Sequence, residues 1–270
     1  AAATGAIVIT TKSGKDGRVR LTVGSSSEWV SAFVTPQFQN RYGTGSGLSK
    51  EVVRDKSWGR ALTNANGGGY DPVNDFFGTG TIFSNNISLS TGNAQNQTYL
   101  SVASVHSSGI VPNNKYNRYN FNIRHTTHFL DDKMTLDLGA GYVKQYDRNM
   151  VNQGVYGNPL TGAYLFPRGN DWEDIRMYER YDEARHLSTQ YWPVGSGGSL
   201  VMQNPYWVAY RNLRENNKNR YMLNASLSYK ILDWLTLSGR ARLDNSTTDY
   251  ETKNFASTNN QLTEGSERGL

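Results

Sequence analysis

Residues 119–142 read YNFNIRHTTHFLDDKMTLDLGAGY. Tyr119, Phe121, Ile123, Thr127 and Phe129 fall on one side of a chain that alternates every second residue, and Asn120, Asn122, Arg124 and His128 fall on the other. The alternation restarts at Met134, where Met134, Leu136, Leu138, Ala140 and Tyr142 share one face and Thr135, Asp137, Gly139 and Gly141 the other. Leu130-Asp131-Asp132-Lys133 between the two runs has the composition of a turn. The stretch is a β-hairpin with one apolar and one polar face.

The same pattern recurs in both directions. Tyr221, Leu223, Ala225, Leu227 and Tyr229 alternate with polar residues, then turn near Ile231–Trp234 into Leu235, Leu237, Ala241 and Leu243, whose opposite face carries Thr236, Ser238, Arg240, Arg242 and Asp244. Val19, Leu21 and Val23 alternate with Arg18, Arg20 and Thr22. Residues 81–91 and 97–107 flank a turn at Gly92-Asn93-Ala94, with Asn85 on the same face as Phe83 and Ile87. This gives about seven strands of roughly ten residues, the length that crosses a bilayer in a tilted β-barrel. Aromatic residues stand near both ends of the apolar faces, Tyr119 and Phe129 on one strand, Tyr221 and Tyr229 on another.

Alternation alone leaves two architectures open. A transmembrane barrel turns the apolar face to lipid, and a soluble sandwich buries it against a second sheet. Connection lengths favour the barrel. Turns near 92–96, 130–133 and 231–234 are short, whereas the first strand and the run ending at Tyr146 are followed by long connections, uncommon inside compact domains. Short turns at one end and long loops at the other are the outer-membrane pattern, with the loops outside the cell.

Composition narrows the chemistry. There is no cysteine, so a disulfide scaffold and a thiolate metal site are excluded. The net charge of +5 comes from scattered bases interleaved with acids, which forms no phosphate-tracking face, and no nucleic-acid partner is expected. No run is long and apolar enough for a transmembrane helix, a criterion that does not bear on barrel strands. His125 and His128 point to opposite faces of a strand and cannot share a metal, and no nucleotide-binding glycine motif occurs. No catalytic constellation, metal or cofactor is expected.

Residues 5–15, Gly-Ala-Ile-Val-Ile-Thr-Thr-Lys-Ser-Gly-Lys, resemble the end of the plug domain of SusC/RagA-type TonB-dependent outer-membrane transporters, where this strand leads directly into the barrel. Asp75-Phe76-Phe77 with Thr79-Gly80, Ser88-Leu89-Ser90 with Gly92, Tyr99-Leu100-Ser101, Gly109-Ile110-Val111, Tyr119-Asn120-Phe121-Asn122 and Trp234-Leu235-Thr236 resemble the family's following strands in order. The resemblance implies that residues 1–15 end a plug and 16–270 begin an antiparallel transmembrane β-barrel of about 22 strands. It implies TonB-dependent active import of oligosaccharides or peptides, with no enzymatic step, in the bacterial outer membrane. TonB, acting on a segment outside this sequence, outer-membrane lipid and a SusD-like surface lipoprotein are the implied partners. The chain lacks an initiator Met, is expected to be a piece of a longer protein, and is expected not to fold alone, because an open part-barrel has two unpaired edges. A passive porin-type barrel and a soluble β-rich adhesin or carbohydrate-binding module are the alternatives.

The loop at 147–217 is rich in rings. Trp172, Tyr178, Tyr181, Tyr191, Trp192, Tyr206 and Trp207 are the candidate substrate-binding residues, since flat rings stack on sugar faces or grip peptides and the acids and amides among them bond hydroxyls. The competing reading is that the same rings pack the loop on itself. Trp172–Arg185 has the spacing of a short helix. Arg18, Arg20, Arg124, Arg240 and Arg242 are expected on the polar, interior face of the barrel.

Overall fold

The computed structural model describes residues 12, 14, 17–46, 56–63, 71–194 and 203–270. In chain order the elements are β1 (Gly17–Val30), β2 (Gly45–Ser46), β3 (Ser57–Trp58), α1 (Pro72–Asp75), β4 (Gly80–Gly92), β5 (Asn96–Ser108), β6 (Lys115–Phe129) and β7 (Met134–Arg148). They continue with α2 (Pro159–Leu165), α3 (Trp172–Arg176), β8 (Glu179–Asp182), β9 (Leu187–Gln190), α4 (Pro205–Arg211), β10 (Asn212–Leu232) and β11 (Leu235–Asn254). Seven strands form one antiparallel sheet in the order β1-β4-β5-β6-β7-β10-β11, open at β1 and β11. The fold is all-β, and the order of strands in the sheet follows their order in the chain.

The hairpin of residues 119–142 is β6–β7, with Phe129 paired to Met134. Its turn holds Leu130, Asp131 and Asp132 at positive φ, the backbone twist that lets a tight turn follow the twist of the strands. At the 93–95 turn the Asn93 carboxamide oxygen accepts from the Gln95 and Asn96 nitrogens at 3.0 and 2.7 Å. The turn expected over Ile231–Trp234 narrows to Asp233-Trp234. These three turns lie at one end of the sheet, and the described connections 31–46, 56–63, 71–79, 109–114, 149–194, 203–211 and 255–270 at the other.

Register fixes the two faces. One row across the apolar face is Leu21, Leu89, Leu100, Ile123, Ala140, Leu223 and Leu243. The next row towards the loops contains Phe121, Tyr142 and Tyr221, whose rings stack at 6.2 and 4.9 Å, and the Tyr142 hydroxyl donates to Asn219 in the row beyond at 2.8 Å. At the turn end the face closes with Phe129, Met134, Tyr229 and Leu237. Asn85, which shares the face with Phe83 and Ile87, lies in the polar row beyond the ring stack and accepts from Ser25 Oγ at 2.8 Å. Among the described residues no second sheet covers the apolar band, and Leu21 and Leu237 are 64% and 65% exposed.

On the polar face Arg20, Tyr99, Arg124, Gly139, Asn224 and Arg242 form one row. Arg124 reaches diagonally to Asp137, with Nε 3.1 and 2.9 Å from the two carboxylate oxygens, and Thr126 donates to the same carboxylate at 2.8 Å. Arg240 has no ion-pair partner among the described residues. Arg124→Ala should therefore lower stability by about 1–2 kcal/mol, because it leaves the Asp137 carboxylate with Thr126 and no counter-charge, and Arg240→Ala by less than about 0.5 kcal/mol; urea unfolding of the two variants in detergent measures the difference.

Two expectations are corrected. The strands are longer than about ten residues, running from 13 in β4 to 21 in β10. Past the ring stack both faces are polar, as in Asn212–Lys218, so alternation stops while backbone pairing continues, held by cross-strand bonds such as Tyr146 to Glu215 at 2.8 Å and Asn216 to Asp147 at 2.7 Å. The helix expected over Trp172–Arg185 is only α3, Trp172–Arg176, and β8–β9 follows as a hairpin. Most of the stretch 1–15 and its boundary at 15/16 lie outside the described residues. Gly14 sits hard against β5, where a Cβ would stand 2.5 Å from the Thr98 nitrogen.

Candidate functional site

The loops at one end of the sheet fold into a cap with its own core. Asp75-Phe76-Phe77 follows the short α1, and Phe76 meets Trp172 and Tyr206 edge-on at 6.1 and 5.5 Å. Val111 from the β5–β6 connection, Ala163 and Phe166 from α2 and its end, Trp172 and Ile175 from α3, and Val194 complete the cluster. Pro at the start of α2 and α4 and the caps Asn158, Asp171 and Asn204 set where the three helices begin.

Asn204 joins these pieces. It is fully buried; its carboxamide oxygen accepts from the Tyr206 and Trp207 nitrogens at 2.9 and 3.4 Å, and its nitrogen donates to the Ile175 and Tyr191 carbonyls at 2.8 and 2.9 Å. One side chain thus ties α3, the strand end at Tyr191 and α4 together. A buried amide with all groups satisfied is a specific fastener, since each group left bare costs more than the bond returns.

The seven candidate rings separate into five environments. Trp172, Trp192 and Tyr206 come together: Trp172 Nε1 is 3.2 Å from the Asp75 carbonyl and 3.1 Å from the Tyr206 hydroxyl, and Trp192 lies 5.9 Å from Phe166. Burial pushes the Tyr206 phenol above its ordinary range. Trp207 is apart from them, fully buried, with Nε1 donating to Thr258 Oγ1 at 3.0 Å. Tyr178 stacks on Tyr210 at 5.5 Å beside Arg211, whose guanidinium is held by Glu179 at 2.7 and 2.9 Å. Tyr191 donates to Asp174 at 2.6 Å and lies under Arg180 at 3.3 Å. Tyr181 is 58% exposed. Of the seven, Tyr181 is therefore the exposed ring, Tyr178 and Tyr191 are half-buried beside β8–β9, and Trp172 and Trp207 are interior to the cap.

Sequence reasoning did not single out Asn204, Thr258 or Arg211. The Asn-Pro pair at 204–205 is a helix-start signal, but its long-range bonds have no sequence signature. Residues 255–270 close the cap from β11, where Gln190 nitrogen donates to Ser257 Oγ at 2.9 Å and Arg185 to the Glu267 carbonyl at 2.7 Å.

Away from the cap, the polar face carries a trough of about 540 Å³ bordered by Lys12, Tyr99, Asn122, Arg124, Asn224 and Arg242. The opposite face has an apolar furrow of about 570 Å³ between Ile123, Leu138, Leu223 and Leu243, opened by the small residues Ala140, Ala225 and Ala241. His125, in that furrow, bonds Thr98 Oγ1 at 2.9 Å, and His128, on the other face, bonds Thr135 at 3.0 Å. No metal-holding cluster occurs among the described residues.

No family model matches the sequence, and no curated protein matches it. Among solved structures, a chain of the RagAB peptide importer in the "closed-closed" state superposes with a TM-score of 0.63 at 16% identity over 92% of this chain. The "open-open" state gives 0.59 at 16% over 91%, and another structure of the RagAB peptide transporter gives 0.59 at 12% over 92%. This chain spans 30% of the length of each. The likeness establishes a β-rich fold shared with a transporter chain.

Proposed function

We propose that this chain is an arc of a SusC-type, TonB-dependent outer-membrane barrel that imports peptides or oligosaccharides and catalyses no reaction. The observation that carries the reading is the two-faced sheet: an uncovered apolar band closed by aromatic rows at both ends, short turns on one side and a folded cap on the other. Tyr119 to Phe129 is about 33 Å along a strand at about 3.3 Å per residue, or about 25 Å of height at a tilt of about 40°, the height of a lipid-facing band. The furrow at Leu138 and Leu223 then takes lipid acyl chains, and the arginine row faces the lumen and plug.

The cap is extracellular on this reading. Its exposed ring Tyr181 is the one free to meet a solute or a SusD-like lipoprotein lid; TonB acts through a segment outside this sequence. The RagAB neighbours, named for peptides, favour peptides over sugars. Tyr181→Ala should weaken uptake about two- to ten-fold, the value of one ring contact, and leave stability unchanged. The function is tested by growth and labelled-peptide uptake in cells lacking the full-length protein. Loss of uptake, restored by the intact gene but not by one whose product cannot engage TonB, is the expected result; unimpaired uptake of peptides and oligosaccharides alike contradicts the proposal.

A further inference from the structure

Beside α2, the connection that follows β1 forms a pocket that none of the seven candidate rings borders. Gln39 builds its frame. Its carboxamide oxygen accepts from the Arg41 and Tyr42 nitrogens at 2.9 and 2.8 Å, and Nε2 donates to the Tyr42 and Ser57 carbonyls at 3.0 and 2.7 Å. The Gly43 nitrogen donates to the Arg60 carbonyl at 2.9 Å and the Gly59 nitrogen to the Gly43 carbonyl at 3.0 Å, so residues 39–46 and 56–62 clasp each other. The two backbones lie so close that a Cβ on Gly59 would overlap the Thr44 carbonyl. Phe38 stacks on Tyr164 of α2 at 5.3 Å, and the Arg168 guanidinium lies 5.1 Å from the Phe38 ring. Between clasp and helix is a cavity of about 260 Å³, bordered by Phe38, Lys56, Trp58, Tyr164, Leu165 and Arg168.

The lining limits what fits. The volume is below the roughly 300 Å³ at which pockets for whole small ligands begin, so it takes one residue or ring of a larger solute. Sugar hydroxyls need amide or carboxylate partners, but no carboxylate lines the cavity, and the Gln39 amide has both donors and both lone pairs engaged within the clasp. An aromatic side chain needs only other rings, and Trp58 and Phe38 are 66% and 43% exposed, open to it from solvent. Two cations complete the lining. Arg168 is 3% exposed and holds its charge in place, while Lys56 is exposed and has no ion-pair partner among the described residues. A carboxylate complements them, and in a pocket for one residue the ring and the carboxylate must belong to the same residue.

We propose that this pocket receives the C-terminal aromatic residue of a peptide, with its ring against Trp58 and Phe38 and its carboxylate at Lys56. A role in uptake rests on the transporter reading; the binding itself does not. The probe is N-acetyl-4-fluoro-L-phenylalanine, followed by its fluorine resonance on the full-length protein in detergent and compared with the corresponding amide. Saturable broadening, reversed by excess unlabelled N-acetylphenylalanine, is expected for the acid, with the amide bound about three- to five-fold more weakly. Lys56→Gln should bring acid and amide within about two-fold of each other, and Trp58→Ala should weaken both about two- to ten-fold. Both positions are exposed, so neither change removes a buried contact. No saturable broadening, equal binding of acid and amide to the wild type, or equal binding to the wild type and Trp58→Ala overturns the pocket. Uptake of a peptide ending in phenylalanine is measured in parallel. Binding that depends on Lys56 and Trp58, with no uptake of any peptide, sinks the transporter reading and leaves the pocket standing; uptake without binding sinks the pocket and leaves transport standing.

Discussion

Leu138→Arg is expected to prevent stable insertion of the protein into the outer membrane. Leu138 lies in the middle row of the apolar face, level with His125 and Ala225 and midway between the rings of Tyr142 and the Phe129–Met134 row. It borders the apolar furrow, and no acid shares its row to pair with an arginine. An arginine at the midplane of a lipid-facing barrel strand costs about 2–4 kcal/mol, and a mid-strand side chain has the longest path to the interface. The control is Ser101→Arg, on the opposite face between Ser88 and Asn122, where a charge remains in water. Membrane fractionation with heat-dependent gel mobility should show Leu138→Arg depleted and unfolded and Ser101→Arg present and folded. A soluble sandwich predicts the opposite sensitivity to detergent: the wild type would then remain in solution without it.

Asn204→Ala is expected to unravel the cap and spare the sheet. The substitution strands the Ile175 and Tyr191 carbonyls and the Tyr206 and Trp207 nitrogens in the interior of the cap. Each buried group left without a partner costs about 1–3 kcal/mol, so a local loss of at least about 3 kcal/mol follows. The sheet has its own backbone ladder and opens separately from the cap. Limited proteolysis should cut the variant between 176 and 194 at least ten-fold faster than the wild type, with heat-dependent mobility unchanged. Equal cleavage rates would mean that Asn204 does not hold the cap.

What could be read from sequence divides along these lines. The seven strands, their order and all three short turns follow from period-two alternation and turn composition, because one face of the sheet is a continuous apolar band and the other is polar. The strand ends were not legible. From Lys218 to Asn212 and from Asn245 to Asn254 neither face is apolar, and pairing there depends on partners such as Asp147 and Glu215 that sit far away in sequence. The arginine row followed from facing alone, but that Arg124 is paired and Arg240 is not depends on a diagonal carboxylate.

For the cap, sequence placed the rings in one segment and could not separate their roles. Trp172 and Tyr181 lie in the same run of aromatic and charged residues, yet one is 5% exposed and the other 58%. The difference arises from Phe76 and Val111, which come from other loops to bury Trp172.

On the barrel reading one face of this sheet meets lipid and the other water, and single cysteines along β7 tell the two faces apart. These 270 residues contain no cysteine, and with any cysteine elsewhere in the full-length protein replaced by serine each introduced residue from Thr135 to Gly141 reports alone. With the full-length protein in native outer membranes, Cys at 135, 137, 139 and 141 should react with a membrane-impermeant maleimide once the plug is unfolded by urea. Cys at 136, 138 and 140 should resist it and instead be reached by a lipid-soluble quencher. A strict period of two in both reagents is the result the account predicts; uniform access to the aqueous reagent, or protection of 136, 138 and 140 from both reagents, would contradict it.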